Sequence, residues 1–261
     1  MPVQKLPLLL ISFLLFYVSC RQKEQSSVSP QPELEASTRI VTSITYGSDP
    51  DAEKDYTYNS EGEIMKYTTL GDTVTFRYTI DSIVKSYSAS INQWISSIVY
   101  KLDQNGKAIS SVIYGAYQKP LSEFQFLYNA EGQLSETMQK VYETGFTYRQ
   151  VMKYENGDLV EIIDYEHNGN PSAKYVYNYY LDKENKLNIN MHHALDDFLS
   201  KDRLGKGNQH MVKDLTNISM DGDTLSHLRF SYPQQQAENI LLEIEEDVWN
   251  EFVTERTYHF R

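Results

Sequence analysis

The sequence predicts an all-β protein: a many-stranded antiparallel meander forming a soluble barrel or a strongly curled sheet. Three observations carry that expectation. A Tyr-bearing strand followed by a Gly-containing turn recurs. It appears as Tyr56-Thr57-Tyr58-Asn59-Ser60-Glu61-Gly62-Glu63-Ile64, as Phe126-Leu127-Tyr128-Asn129-Ala130-Glu131-Gly132-Gln133-Leu134, and shortened as Tyr154-Glu155-Asn156-Gly157-Asp158-Leu159. Each copy is one hairpin, which cannot bury a face alone and must pair with its neighbours. Turn signals near Gly106, Pro120, Gly132, Gly145, Gly157, Gly169 and residues 182–186 leave strands of roughly 8 to 10 residues between them. Aromatic residues also alternate with polar ones at the period of a half-buried strand.

The first element is residues 1–19. Lys5 supplies a basic start, and residues 8–18 form an apolar run broken only by Ser12. A run of that length is too short to cross a hydrocarbon core, which takes about 20 residues, and it fits the central part of a secretory signal. It ends at Tyr17-Val18-Ser19-Cys20, and Cys20 is the single cysteine in the chain. This arrangement resembles a bacterial lipobox, with Tyr17 where that family usually carries Leu. The resemblance implies cleavage before Cys20 and lipidation of its thiol, which also accounts for a lone thiol in an exported chain. Residues 20–37 are polar, rich in Gln, Glu and Ser, with Pro30 and Pro32, and read as a flexible tether.

Residues 38–261 read as one antiparallel β domain. The whole chain has a formal charge of −12, which argues against nucleic acid as a partner, because that binding neutralises phosphates with Lys and Arg. The same balance argues against docking on anionic headgroups, so membrane association is expected to rest on the N-terminal lipid. The 21 Tyr outnumber Phe and Trp together, and Tyr suits a wall with one packed and one wet side. Phe124, Phe126 and Tyr128 share a face, as do Phe146, Tyr148, Met152 and Tyr154, and Ala173, Tyr175, Tyr177 and Tyr179. Opposite them stand Glu123, Gln125, Arg149, Lys153 and Lys174. A lipid-facing wall would not carry those charges at mid-strand, so the charged face is predicted to be outside and solvated.

Residues 190–204 break the β rhythm. Met191, Leu195, Phe198 and Leu199 have the spacing of one helix face, and Gly205 and Gly207 follow as a stop, so one short helix is predicted there. A packed connection is preferred over a gating plug for it.

Motifs for chemistry are sparse. No nucleophile elbow, phosphate loop or dinucleotide fingerprint is present, and no cofactor is expected. His192, Asp196 and His210 lack the spacing of a metal set, and the alternating Asp49, Asp51, Glu53 and Asp55 lack the central Gly of a calcium loop, so no metal is expected and the acidic run reads as a solvated turn. Glu136 alternates in phase with Leu134 and Met138, and Glu161 with Leu159 and Ile163. Both are therefore expected to point inward, where a carboxylate could serve as acid or base in glycan hydrolysis; a structural role for both is preferred. Tyr128, Tyr148, Tyr154 and Tyr177 are the candidates to line a ligand site.

The hairpin copies, Cys20 and the segment Leu204-Gly205-Lys206-Gly207-Asn208-Gln209-His210-Met211 together resemble uncharacterised Bacteroidetes lipoproteins, a domain of unknown function with a porin-like fold. The hairpins also resemble the Tyr-Asp repeats of Rhs-type shells, with Asn59 and Asn129 in place of Asp. The resemblance implies a many-stranded antiparallel fold and assigns no catalytic residue. The expected function is that of a non-catalytic binding or interaction lipoprotein, lipid-anchored to the outer membrane on either its periplasmic or surface face. Its ligand would be a small molecule, a glycan or a protein. The alternatives are a packed structural spacer and, third, a glycan hydrolase.

Overall fold

The computed structural model describes residues 40–47, 49–69, 72–88, 94–185, 203–233 and 239–261, all within one compact unit, Thr38–Arg261. Cys20 and the helix predicted at 190–204, apart from its last two residues, lie outside the described residues. The strands are β1 (Val41–Tyr46), β2 (Asp49–Tyr58), β3 (Ile64–Thr69), β4 (Asp72–Tyr78), β5 (Ser82–Tyr87) and β6 (Ser97–Leu102). They continue as β7 (Ala108–Tyr114), β8 (Pro120–Tyr128), β9 (Leu134–Val141), β10 (Thr147–Glu155) and β11 (Asp158–Tyr165). The last five are β12 (Pro171–Glu184), β13 (His210–Ser219), β14 (Thr224–Ser231), β15 (Ile240–Asp247) and β16 (Phe252–Phe260). Each pairs antiparallel with its sequence neighbours, and β1 pairs with β16, so the 16 strands close into a barrel. Closure leaves no unpaired edge. One 3-10 turn, Ala116–Gln118, is the helical element among the described residues.

Two turns differ from the sequence reading. The break expected at 182–186 comes later, because β12 pairs with β13 as far as Glu184. The acidic run from Asp49 is not a turn but the start of β2, in register with Tyr46 of β1.

The recurring turn sets both geometry and phase. In the hairpins after β2, β6 and β8, an Asn or Asp side chain (Asn59, Asp103, Asn129) accepts the backbone N–H four residues on, at 2.8–2.9 Å. A glycine then takes positive φ (Gly62 78°, Gly106 79°, Gly132 83°), a region in which side chains other than Gly are strained. One unpaired residue follows each turn as a β-bulge. Tyr128 pairs with Leu134 but Leu127 with Glu136, and Tyr154 pairs with Leu159 but Lys153 with Glu161. The bulges at Ser135 and Val160 invert the alternation. Buried residues are therefore Leu134 and Thr137 on β9, and Leu159 and Ile162 on β11, at a spacing of three.

That inversion corrects the predicted orientation of the two carboxylates. Glu136 and Glu161 turn to the outer face, where Glu136 pairs with Arg149 at 3.0 Å and Glu161 with Lys174 at 3.3 Å.

The tyrosines have a structural use that explains their recurrence. Tyr128 donates its hydroxyl to the carbonyl of Ala108 at 2.6 Å, Tyr154 to Leu134 at 2.9 Å, and Tyr179 to Leu159 at 2.6 Å. Each reaches back twenty residues, to the first or second residue of the strand before its own. Tyr58 likewise donates to the carbonyl of Val41, seventeen residues back at the start of β1. The ring packs inside the wall while its hydroxyl clasps one hairpin to the last. A single such bond contributes about 1 kcal/mol net, so Tyr154→Phe should lower unfolding free energy by that amount in a urea melt without altering the fold. An unchanged midpoint would show that the clasp contributes nothing.

The interior is not purely apolar. Ile83, Val74, Leu134 and Leu159 are fully buried, but so are Lys85 and Glu243. The Lys85 ammonium lies 4.7 Å from the Tyr87 ring centroid and within 6 Å of Tyr67 and Phe76, so aromatic faces replace part of its water. Glu243 accepts from Arg256 at 2.8 Å and from Tyr258 at 3.1 Å. Arg256 also holds Glu245 at 2.7 Å. The expectation that the strands' charges stay outside therefore fails at Lys85 and Glu243, although Lys85 stands in phase with Ile83 and Tyr87.

Candidate functional site

The two ends of the barrel differ. At one end lie the turns after β2, β4, β6, β8 and β10, where β1 also begins. Their tips are polar and linked: Lys107 donates to the carbonyl of Gly132 at 3.0 Å, and Gln133 to that of Gly157 at 3.1 Å. Residues 203–209 run across these tips as a strap. Arg203 pairs with Glu63 at 2.6 Å and donates to Gly106 at 2.8 Å, while its carbonyl accepts from Ala108 at 2.7 Å. Farther along, Lys206 donates its N–H to Gly132 at 3.2 Å, Asn208 accepts from Leu159 at 3.0 Å, and His210 bonds Asp158 at 2.7 Å. Gly205 is required by the fit: its φ is +93°, and a Cβ there would meet the Leu134 nitrogen at 2.9 Å. The segment singled out in the sequence is thus a stitched seal across several hairpins.

The opposite end carries a rim of exposed aromatic and large apolar residues on successive turns. Tyr142 and Phe146 stand on the turn after β9, each 41% exposed, with Tyr148 at the start of β10. Trp249 stands on the turn before β16 and Phe252 at the start of β16, with Leu225 exposed on β14. Trp94 and Tyr117 occupy the turns before β6 and β8. On the turn after β11, His167 stacks on Phe146 with centroids 4.0 Å apart and planes at 10°, and Tyr148 meets His167 nearly edge-on at 6.3 Å.

Of the four tyrosines expected to line a ligand site, only Tyr148 reaches this exposed rim. Tyr128 and Tyr154 are engaged as clasps, and Tyr177 is buried in the wall. Burial pushes the hydroxyl pKa of all three up, so they stay neutral and committed to packing. Of the rim's other members, Phe146 was read in phase with Tyr148 as part of a packed face, whereas His167 and Trp249 gave no periodic signal because they sit on turns.

An open groove of about 580 Å³ lies beside the strapped end, bordered by Glu155, Asp158, Leu181, His210 and Asp214. Its acids are engaged: Asp158 with His210, Asp214 with His227 at 3.2 Å, and Glu155 with Lys153 at 2.7 Å. Glu136 and Glu161 likewise hold cations on the outer wall. His192 and Asp196 lie outside the described residues. Among the described residues no three His, Cys, Asp or Glu side chains converge as a metal set.

No protein-family model and no curated protein matches the chain. Solved structures do share its fold. A porin-like protein from Bacteroides uniformis ATCC 8492 superposes with a TM-score of 0.62 at 16% identity, covering 86% of this chain and 98% of that one. A porin-like protein from Bacteroides vulgatus ATCC 8482 gives 0.59 at 16% identity, covering 85% and 98%. Identity that low speaks for the fold alone: a closed antiparallel barrel of porin-like form. The Tc holotoxin pore of Photorhabdus luminescens, at a TM-score of 0.31 over 12% of its chain, carries no argument, so the Rhs-type likeness stays an expectation.

Proposed function

We propose that this protein is a cell-envelope lipoprotein acting as a non-catalytic binding scaffold, anchored to the outer membrane through a lipid on Cys20. The observation that carries the binding part is the asymmetry of the barrel ends. One end is sealed by polar stitching, while the other exposes aromatic side chains that neither the core nor the turns require, and exposed patches of that kind on a folded surface mark interaction sites. The outer wall supports a barrel surrounded by water rather than acyl chains: Arg149, Lys153 and Arg229 are each about half exposed there, and such charges at a bilayer midplane cost several kcal/mol. Cation-paired Glu136 and Glu161 weigh against glycan hydrolysis. A packed spacer is the second reading, favoured by the fully buried Val74, Ile83 and Leu134, but it gives no use to the rim.

The anchor is tested with Cys20→Ala in the native host. The wild-type chain should incorporate labelled palmitate and sediment with the outer membrane, whereas the variant should lose the label and move to the soluble fraction. A variant that still sediments with membranes would overturn lipid anchoring at Cys20.

A further inference from the structure

We infer that Phe146, His167 and Tyr148 form a platform for the ring of a neutral sugar, an inference that rests on the binding reading above and names its ligand class. The geometry is that of a corner. Phe146 and His167 lie nearly parallel at 4.0 Å, and Tyr148 stands at 69° to His167. Each of the three is exposed by more than a third. A pyranose offers a flat face of C–H bonds to an aromatic plane and a belt of hydroxyls at its edge. A floor and a wall of rings accommodate the first, and short polar side chains the second.

Both turns that present these rings are fixed by their own backbone. In the β9–β10 turn, Val141 donates to the Phe146 carbonyl at 2.9 Å and Gly145 to that of Val141 at 2.8 Å. In the β11–β12 turn, Glu166 donates to Asn170 at 2.9 Å and Gly169 to Glu166 at 2.8 Å. The rings are therefore held before any ligand arrives, which lowers the ordering cost of binding. Neither turn needs an aromatic residue at position 146 or 167 to form.

The surrounding charge selects against an anionic ligand. Glu143 and Glu166 are exposed on the two turns, and Asn168 beside them donates to Glu166 at 3.4 Å and accepts from the Asn170 N–H at 2.8 Å. The nearby cations are engaged: Arg149 with Glu136 at 3.0 Å and over Tyr165 at 5.0 Å, and Lys140 over the Tyr142 ring at 5.7 Å. An anionic headgroup or polyanion meets carboxylates here, whereas sugar hydroxyls can donate to them. Successive turns at this end are two strands, about 10 Å, apart, so the exposed residues on the next turns lie within reach of a longer oligosaccharide.

The test uses the full lipidated chain in a sugar-free zwitterionic detergent, titrated calorimetrically with maltohexaose, cellohexaose, xylohexaose and mannohexaose. At least one should bind saturably, with Kd between about 10 μM and 1 mM, and Phe146→Ala and Tyr148→Ala should each weaken it at least about tenfold. Both sites are exposed, so the thermal midpoints should match wild type and the variants should remain folded. The same proteins are assayed on anionic phospholipid vesicles and for self-association by sedimentation. No hexaose binding at millimolar concentration, or binding that survives both substitutions, overturns the sugar platform. Loss of vesicle binding or of self-association in the variants instead would overturn the sugar while keeping the rim as a binding surface. Variants that change none of the three readouts would overturn both.

Discussion

Raising the pH above 10 is expected to unfold this barrel within about one to two pH units, with tyrosine ionisation and loss of strand signal occurring together. Burial pushes the hydroxyl pKa up at Tyr58, Tyr128, Tyr154, Tyr177, Tyr179, Tyr232 and Tyr258. Neighbouring charges modify the shift at several of them, most directly Glu243 beside Tyr232 and Tyr258. In the unfolded chain these groups ionise near their ordinary value of about 10. The folded state keeps its protons longer, so stability is fully present below pH 10 and is lost as the pH climbs from there toward the raised folded values. Each such tyrosine contributes a slope of up to about 1.4 kcal/mol per pH unit, against a total stability of roughly 5–15 kcal/mol for a domain. Absorbance near 295 nm and far-ultraviolet circular dichroism, followed together against pH, check the coupling. Tyrosinate absorbance that rises fully near pH 10 while the strand signal persists would contradict it.

The second large effect is expected at the strap. Arg203→Ala should destabilise the protein by about 3–5 kcal/mol, because Glu63 is 4% exposed and loses the guanidinium held at 2.6 Å. The bond from Arg203 to the Gly106 carbonyl is lost with it. The damage should spread along the strap rather than stay at β2. Hydrogen exchange should quicken at Ala108, Leu159 and His210, whose backbone N–H groups bond to the strap or to the Asp158 that holds it. Adding Glu63→Gln should restore part of the loss, since the buried charge disappears, and the double-mutant cycle measures the coupling. A urea midpoint shift equivalent to less than about 1 kcal/mol would mean that the strap is not held by this pair.

The architecture was legible because two local signals agree. Asn59-Ser60-Glu61-Gly62 and Asn129-Ala130-Glu131-Gly132 announce a turn, and Phe124-Gln125-Phe126 beside it announces which face is buried. Phase failed one residue past each turn. The bulge at Ser135 or Val160 carries no residue signature of its own, yet it moved Glu136 and Glu161 from one face to the other. The four tyrosines were read by face, which is right for Tyr128, Tyr154 and Tyr177, but face does not say where a hydroxyl ends. Tyr154 finds its partner at Leu134 only because the register of β10 on β9 brings that carbonyl within 2.9 Å. The aromatic rim was illegible for a related reason: Phe146 and His167 are 21 residues apart on separate turns, and their stack exists only once the strands between them have paired. Of the candidate site, the sequence singled out Tyr148 and missed its neighbours.

The way the wall closes also concentrates the entropy of its assembly. From β1 to β16 every pairing joins consecutive strands, apart from the single seam at which Val41 meets Phe260. Most hairpins close a loop of a few residues, the connection between β12 and β13 being the long exception, and each tyrosine clasp closes about twenty, so these contacts form at small cost in chain freedom. The seam ties ends more than two hundred residues apart and costs about 2.5 kcal/mol more than a twelve-residue loop when the chain between is unstructured. That difference shrinks as hairpins dock on one another, because a prefolded wall has already brought β1 and β16 close. The barrel can therefore grow as an open, curling sheet from many local starts, with the meeting of its first and last strands as the one slow and far-reaching contact.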